Sequence, residues 1–296
     1  MGSEDSEEGI GSGAPARVWD PPMPSEAPDN GGSPAVETVS LTRRFGALTA
    51  VDAVTLRVPR RCIFGLVGPN GAGKSTTIKM LTTLLPPTAG TACVAGFDIT
   101  RQALQVRRRI GYVPQLLSAD GALTGYENLL LPGKLYGIPV AERRQRIQGA
   151  LELLGLVEAR DTLVRHYSGG MIRRLEIAQA ILHRPAVLFL DEPTVGLDPV
   201  ARRSVWQHIR LLRQEYDTTV LMTTHAMEEA DELCDLVAIM DRGRVAAAAS
   251  PAELKAATGP AASLEDAFVH FVGASPDPGG SYRDVVRTRR TARRLG

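Results

Sequence analysis

The sequence predicts an α/β fold: a core with a mostly parallel sheet, an N-terminal antiparallel β-subdomain and a helical insertion subdomain. Residues 63–67 are a short apolar run followed by a glycine-rich loop and a helical pattern. Residues 187–192 form a continuous apolar run that ends in two carboxylates, which is typical of a central parallel strand buried on both faces. Because residues 122–163 have helical spacing, we interpret about residues 116–180 as an insertion within this core.

The elements follow from local patterns. Residues 36–41 and 51–58 alternate between polar and apolar side chains, as half-buried strands do. Pro132-Gly133 and Gly137 are expected to interrupt the helices of the insertion. Further strands are predicted at 91–96, 110–115, 219–225 and 236–240, and helices at 77–81, 104–109, 126–131, 141–154, 200–215, 251–257 and 264–271.

Composition sets the domain limits. The 296 residues are 44% hydrophobic and 23% charged, with a net charge of +1, which suits a globular protein and gives no case for nucleic-acid binding. Residues 35–273 have globular patterning. Residues 1–34 are acidic and rich in Gly, Ser and Pro, and residues 274–296 are basic, so we expect both tails to be disordered.

Cysteine usage and hydropathy exclude several classes. The three cysteines, Cys62, Cys93 and Cys234, are scattered and form no CxxC pair, which argues against a disulfide framework or a zinc site and suits a reducing compartment. No apolar run approaches the roughly 20 residues that cross a bilayer, and the N-terminus lacks a signal-peptide pattern. If the protein serves a membrane, another chain must span it.

The loop at residues 68–76 fits G-x-x-x-x-G-K-[ST], the loop that wraps nucleotide phosphates in P-loop NTPases. Glycines let the backbone approach phosphate oxygens, and the helix that follows adds its positive N-terminal end. Lys74 can bridge the β- and γ-phosphates, and Ser75 suits Mg²⁺. The predicted nucleotide-binding residues of the loop are Gly68, Pro69, Asn70, Gly71, Ala72, Gly73, Lys74, Ser75 and Thr76.

Three more positions carry candidate chemistry. Asp191, at the end of the apolar run, is placed to reach Mg²⁺ through its water shell, and Glu192 can take a proton from an attacking water. His225 follows another predicted strand, at the ligand-binding edge of an open α/β sheet, where a phosphate contact is favoured over a structural role.

Two positions have competing interpretations. Ser168 is a good N-cap, and Gly169 and Gly170 would let a ligand approach the helix start, but in isolation an ordinary cap is the preferred interpretation. Phe45, between the first two strands, can stack on an adenine, although the residues alone favour a core position because apolar aromatics are usually buried.

Taken together, these motifs resemble the nucleotide-binding subunit of an ATP-binding cassette (ABC) transporter over about residues 35–273. They occur in the family's order: the Walker A loop at 68–76, the Q-loop Gln115, the signature at 168–171, the Walker B end at 190–192, the D-loop at 196–198 and the switch histidine His225.

The resemblance implies ATP and Mg²⁺ as ligands. It implies that Phe45 stacks on adenine, and that two subunits, as a homodimer, meet head to tail so that the signature of one closes over the ATP of the other. It also implies a separate membrane permease and a peripheral position on the cytoplasmic face of the membrane. The implied catalytic residues are Glu192, His225, Lys74 and Gln115; the implied magnesium ligands are Ser75, Gln115 and Asp191; the further nucleotide-binding residues are Ser168, Gly169, Gly170, Asp191 and Asp198.

The sequence departs from the family pattern at the signature, which usually begins with Leu and ends with Gln. Here the flanking positions are Tyr167 and Met171, and a methionine side chain cannot donate a hydrogen bond. The usual Gly-Glu pair before the strand at 63–67 is Arg61-Cys62, which we expect to affect only a turn. Because Glu192 is intact, we expect a hydrolysis-competent site.

The segments 167–171, 173–176, 223–230 and 263–268 are similar to daunorubicin-resistance-type subunits, which work with an ABC-2 permease and export drugs or lipids. One alternative is a soluble ABC ATPase that serves translation or DNA repair without a permease. Such proteins usually carry two cassettes or a long coiled coil, and neither pattern is present here. Another alternative is a regulatory cassette that binds ATP without hydrolysing it.

Overall fold

The computed structural model describes residues 33–273. The two predicted tails lie outside the described residues, except for positions 33 and 34. The strands are β1 (Val36–Phe45), β2 (Leu48–Val58), β3 (Ile63–Val67), β4 (Ala89–Val94), β5 (Phe97–Asp98), β6 (Ile110–Val113), β7 (Val187–Asp191), β8 (Thr219–Thr224), β9 (Leu236–Asp241) and β10 (Arg244–Ala249).

The helices alternate with the strands over much of this range. They are α1 (Lys74–Leu81), α2 (Ala103–Arg109), α3 (Gly125–Leu135), α4 (Val140–Leu153), α5 (Gly169–Ile181), α6 (Pro199–Tyr216), α7 (Met227–Leu233), α8 (Pro251–Thr258) and α9 (Leu264–Val272). No helix within residues 33–273 has the length and apolar character needed to cross a membrane.

Two sheets carry the architecture. The first is antiparallel, in the order β2-β1-β4-β5, and the second has the order β10-β9-β3-β8-β7-β6. In the second sheet the strands from β9 to β6 are parallel, and β10 joins β9 as an antiparallel edge. The predicted α/β class, with a mostly parallel sheet and an antiparallel β-subdomain, is confirmed.

The parallel sheet separates two hydrophobic cores. Phe189 and Leu221 face the core that the antiparallel sheet, α1 and α2 cover. Their strand neighbours Leu190 and Met222 face the core that contains the helices of the insertion together with α6 and α7. Because side chains alternate across a strand, each central strand is buried on both sides, which explains its unbroken apolar sequence.

The predicted helix break at Pro132-Gly133 is wrong, because α3 continues through both residues to Leu135. Proline lacks the N–H that would bond to the carbonyl oxygen of Asn128. That oxygen accepts instead from the side-chain amide of Gln179 on α5, at 3.0 Å. A tertiary hydrogen bond thus replaces the missing helical one. The predicted break at Gly137, which has a φ of 66°, coincides with the end of this helix.

Three elements escape the sequence patterns: helix α7, strand β10 and the two-residue strand β5. Helix α7 contains four acidic residues in its seven positions, so its apolar face is too narrow to produce a clear helical period. Strand β10 is largely alanine, a residue depleted in strands, and is the edge strand of its sheet among the described residues.

Candidate functional site

The phosphate loop connects β3 to α1 and is held from two directions. A Cβ on Gly68 would lie 2.1 Å from the carbonyl oxygen of Met240, and one on Gly73 would lie 2.5 Å from that of Ala50. Gly73 also has a φ of 100°, a conformation that favours glycine. Strand β2 and the end of β9 therefore leave no room for side chains at these positions.

Lys74, the first residue of α1, points its ammonium group into this loop. Its Nζ donates to the carbonyl oxygens of Gly68 at 2.8 Å and Pro69 at 3.0 Å, and lies 3.6 Å from Glu192 Oε1. The residue is only 4% exposed. Burial lowers the pKa of the Lys74 ammonium, and the charge of Glu192 acts in the opposite direction. The loop thus encloses a cation at the start of a helix, an arrangement suited to an anion.

Ser75 and Asp191 are brought together at the carboxyl end of the parallel sheet. Ser75 Oγ donates to Asp191 Oδ1 at 2.9 Å, and Thr223 Oγ1 donates to the same oxygen at 2.7 Å. A hydroxyl and a carboxylate in contact supply the hard oxygen donors that Mg²⁺ prefers. These residues would therefore fit a magnesium ion.

Glu192 is the point on which the predicted catalytic side chains converge. Its Oε2 accepts from Gln115 Nε2 at 3.2 Å and lies 3.3 Å from His225 Nδ1, while Oε1 faces Lys74. Glu192 is 7% exposed, and its backbone has a φ of 48°, a strained value for a residue with a side chain. The strained backbone thus occurs at the residue whose carboxylate contacts all three side chains.

Thr223 is a site residue that the sequence interpretation missed. Besides bonding to Asp191, its hydroxyl oxygen accepts from the backbone N–H of Glu192 at 2.9 Å. One buried hydroxyl therefore holds both acidic residues. Its place at the carboxyl end of a predicted parallel strand, two residues before His225, is the signal that would have identified it.

The signature residues form a second group with the D-loop. Ser168 caps α5 by accepting from the N–H of Met171 at 3.3 Å, and Asp198 caps α6 by accepting from the N–H groups of Val200 and Ala201, each at 2.9 Å. A Cβ on Gly170 would lie 2.9 Å from that of Ala201. The two helix starts thus pack against each other.

The two residues that depart from the signature pattern, Tyr167 and Met171, both have packing contacts in the structure. Met171 is partly buried and packs against the core of the helical insertion. Tyr167 is 7% exposed, and its hydroxyl donates to the carbonyl oxygen of Ala159 at 2.6 Å. Both side chains serve packing within the insertion.

Phe45 is not a core residue, so that expectation was wrong. It is the last residue of β1 and is 45% exposed. The Arg43 guanidinium lies 4.6 Å from the centre of the ring, at a cation–π distance. The aromatic ring is accessible for stacking, which stays a prediction.

Comparison with known proteins gives concordant results. Residues 51–195 match the family described as ABC transporter. The chain is 49% identical over 225 residues to the daunorubicin/doxorubicin resistance ATP-binding protein DrrA of Streptomyces peucetius, covering 76% of this chain and 68% of that protein. It is 44% identical over 227 residues to the Nod factor export ATP-binding protein I of Ralstonia nicotianae, covering 77% and 70%.

Solved structures agree with these relatives. One described as the ATP binding subunit of an ABC transporter superposes with a TM-score of 0.72 at 30% identity, covering 81% of this chain and all of that one. CbiO1 of Clostridium perfringens, described as part of an ABC transporter complex, gives a TM-score of 0.71 at 26% identity, covering 76% and 92%.

Proposed function

The chain belongs to the ABC transporter family as an ATP-hydrolysing, ATP-binding subunit, and we propose that it powers export of a drug-like or lipid molecule through a separate permease. The convergence of Lys74, Gln115 and His225 on Glu192 is the observation that carries the proposal. The relatives named for resistance or export support the cargo class and favour a transporter over a soluble ATPase. We propose residues 35–273 as the cassette, with the insertion at about 116–180.

The proposed chemistry assigns one task to each side chain. Lys74 and the N–H groups of the loop hold the phosphates of ATP, and Glu192 takes a proton from the attacking water. His225, against the same carboxylate, contacts the terminal phosphate. Ser75, Gln115 and Asp191 would hold Mg²⁺, whose positive charge offsets the repulsion between the triphosphate and the two carboxylates.

We propose that the complete site forms between two copies of the chain. Within the described residues, the side chains of Ser168 and Asp198 hydrogen-bond to the first turns of α5 and α6. Each copy would therefore contribute its loop to one ATP and its signature to the other. A single chain would hold two half-sites and be inactive alone.

An apolar surface of the helical insertion supports a permease partner. Leu116 and Leu117 directly follow Gln115 and are 82% and 53% exposed. Such exposed apolar side chains are typical of a protein–protein contact. We propose that this surface receives a cytoplasmic helix of the permease, which would place the subunit on the inner face of the membrane. The further exposed side chains on the insertion are Leu131, Leu135, Tyr136 and Val140.

Glu192→Gln in the complex purified with its permease tests the role of the carboxylate. The variant should retain ATP binding but lose hydrolysis by about 10²–10⁴-fold, because glutamine cannot accept the proton. Hydrolysis at the parental rate would rule out the assigned role. Recovery of a polytopic membrane protein in a detergent pull-down supports transport, whereas recovery of ribosomes alone contradicts it.

A further inference from the structure

Helix α5 contains a buried ion pair that the proposed chemistry does not use. Arg173 Nη1 lies 3.0 Å from Glu176 Oε2, one helical turn along α5, and each residue is only 2% exposed. Removing two charges from water is costly, and a buried pair is often no more stabilising than an apolar pair of similar size. Its presence therefore calls for a reason other than stability.

The two side chains also hydrogen-bond to residues before and after the turn of the Gln115 loop. Arg173 donates through Nη1 to the carbonyl oxygen of Pro114 and through Nη2 to that of Gln115, each at 2.8 Å. Glu176 Oε1 accepts from the N–H of Ser118, from its hydroxyl at 3.2 Å, and from the N–H of Ala119 at 3.4 Å. One residue thus binds the carbonyls before the turn and the other binds the amides after it.

We propose that Arg173 and Glu176 are positioning residues that fix the Gln115 loop against Glu192 and tie it to the signature helix. The inference rests on the proposed role of Gln115 at the magnesium site. The pair is buried and acts through its hydrogen bonds to the Gln115 loop.

The position of the pair on α5 also connects the Gln115 loop to the signature. Arg173 lies five residues after the cap Ser168, about 7.5 Å along a straight helix. Ser168 belongs to the half-site that meets the ATP of the other copy, whereas Gln115 belongs to the half-site of its own chain. The pair therefore connects the two half-sites through one rigid turn and a half of helix.

Arg174 provides a matched control. It is the next residue on the same helix, but its guanidinium donates to the carbonyl oxygens of Leu154 at 2.9 Å and Gly155 at 3.4 Å, after α4, and to that of Gly170 at 3.4 Å. Arg174→Lys perturbs an arginine of α5 that has no hydrogen bond to the Gln115 loop within the described residues.

Amide hydrogen exchange in the full-length protein is the first test. Glu176→Gln should speed exchange at Ser118 and Ala119 by about tenfold, because the charge-assisted acceptor is lost. Arg174→Lys should leave exchange at these amides unchanged. The double variant R173M/E176M, which removes both charges together, keeps the test valid if single variants fold poorly. Unaltered exchange at Ser118 and Ala119 in both E176Q and the double variant would overturn the proposal.

The magnesium dependence of hydrolysis in the permease complex is the second test. Arg173→Lys should raise the Mg²⁺ concentration for half-maximal rate by about tenfold, as Gln115→Ala should, and add little in the Q115A background. Full additivity of R173K and Q115A contradicts the positioning role. A parental complex without Mg²⁺-dependent hydrolysis contradicts the proposed function itself, and the exchange measurement still decides whether the pair holds the loop.

Discussion

The hydroxyl of Tyr167 fills the space that a side chain at position 125 would need: a Cβ on Gly125 would lie 2.2 Å from the Tyr167 hydroxyl oxygen. That hydroxyl also donates to the carbonyl oxygen of Ala159. Gly125 begins α3, and Tyr167 directly precedes the signature. The tyrosine that departs from the family pattern therefore requires a glycine at the start of another helix.

The contact between Gly125 and Tyr167 predicts that substitutions at the two positions have coupled effects on stability. Gly125→Ala should lower the free energy of unfolding by about 1–3 kcal/mol through overpacking, and Tyr167→Phe by about 1 kcal/mol through the lost hydrogen bond. In the double variant Y167F/G125A the clash is relieved, so the loss should be smaller than the sum. Urea denaturation of the four proteins measures the coupling, and strict additivity would contradict it.

Gln179 should stabilise the proline-containing helix. Gln179→Ala leaves the Asn128 carbonyl oxygen without its partner and should cost about 1–3 kcal/mol. Pro132→Ala restores an N–H at the position that this oxygen faces in a regular helix, so Q179A should cost less in the P132A background. Thermal unfolding of both series checks this. An equal cost in the two backgrounds would show that the side-chain bond does not replace the helical one.

Thr223→Val should lower both stability and catalysis. The substitution is isosteric but leaves Asp191 one donor short and the Glu192 N–H without an acceptor. Loss of these bonds should cost about 1–3 kcal/mol of stability and reduce kcat about tenfold, because the strained backbone of Glu192 loses its support.

Thr219→Val is the control for this variant. Thr219 is buried at the opposite end of β8, where its hydroxyl oxygen accepts from the N–H of Arg61 at 2.9 Å. The T219V variant should lower stability without lowering kcat. Equal kcat losses in T219V and T223V would indicate a general effect of strand damage.

The junction between the helical insertion and the sheet should be acid-sensitive. The His183 ring stacks on Tyr136 with centroids 3.7 Å apart, and its Nε2 contacts the carbonyl oxygen of Ile110 at 2.9 Å. Burial lowers the pKa of His183, the bond to Ile110 opposes this, and Arg146 adds to the lowering. The folded state therefore resists protonation more than the unfolded state does.

Stability should consequently fall as the pH drops through the ordinary histidine pKa near 6.5, with a slope of up to about 1.4 kcal/mol per pH unit from this group. His183→Phe preserves an aromatic stack and removes the titration, so its slope should be shallower between pH 7 and 5. Burial also lowers the pKa of His208, so some slope should remain. An unchanged slope in H183F would exclude His183 as a source of the acid sensitivity.

The sequence was informative where one short segment determines its own conformation. The phosphate loop, the apolar strand before Asp191 and the cap at Ser168 each follow from neighbouring residues, and the structure places them as expected. Long-range compensation was not predictable. Nothing near Pro132 indicates that a glutamine 47 positions later will satisfy the freed carbonyl.

Contacts between side chains that are distant in sequence could not be predicted either. Glu192 was singled out from its place after the strand, but its positive φ and its support by Thr223 depend on the packing of β7 against β8. The Arg173–Glu176 pair looks like an ordinary exposed helix pair in sequence, and only its burial reveals the contact with the Gln115 loop.

The strand order has a consequence for biosynthesis. β3, which leads into the phosphate loop, pairs Ile63 with Val220 of β8 and Phe64 with Leu236 of β9, so both of its neighbours are translated long after it. A nascent chain that has emerged only to residue 195 has β3 but neither flanking strand. Such distant pairings slow folding. We therefore expect the nucleotide-binding loop to reach its folded position only after β9 has left the ribosome.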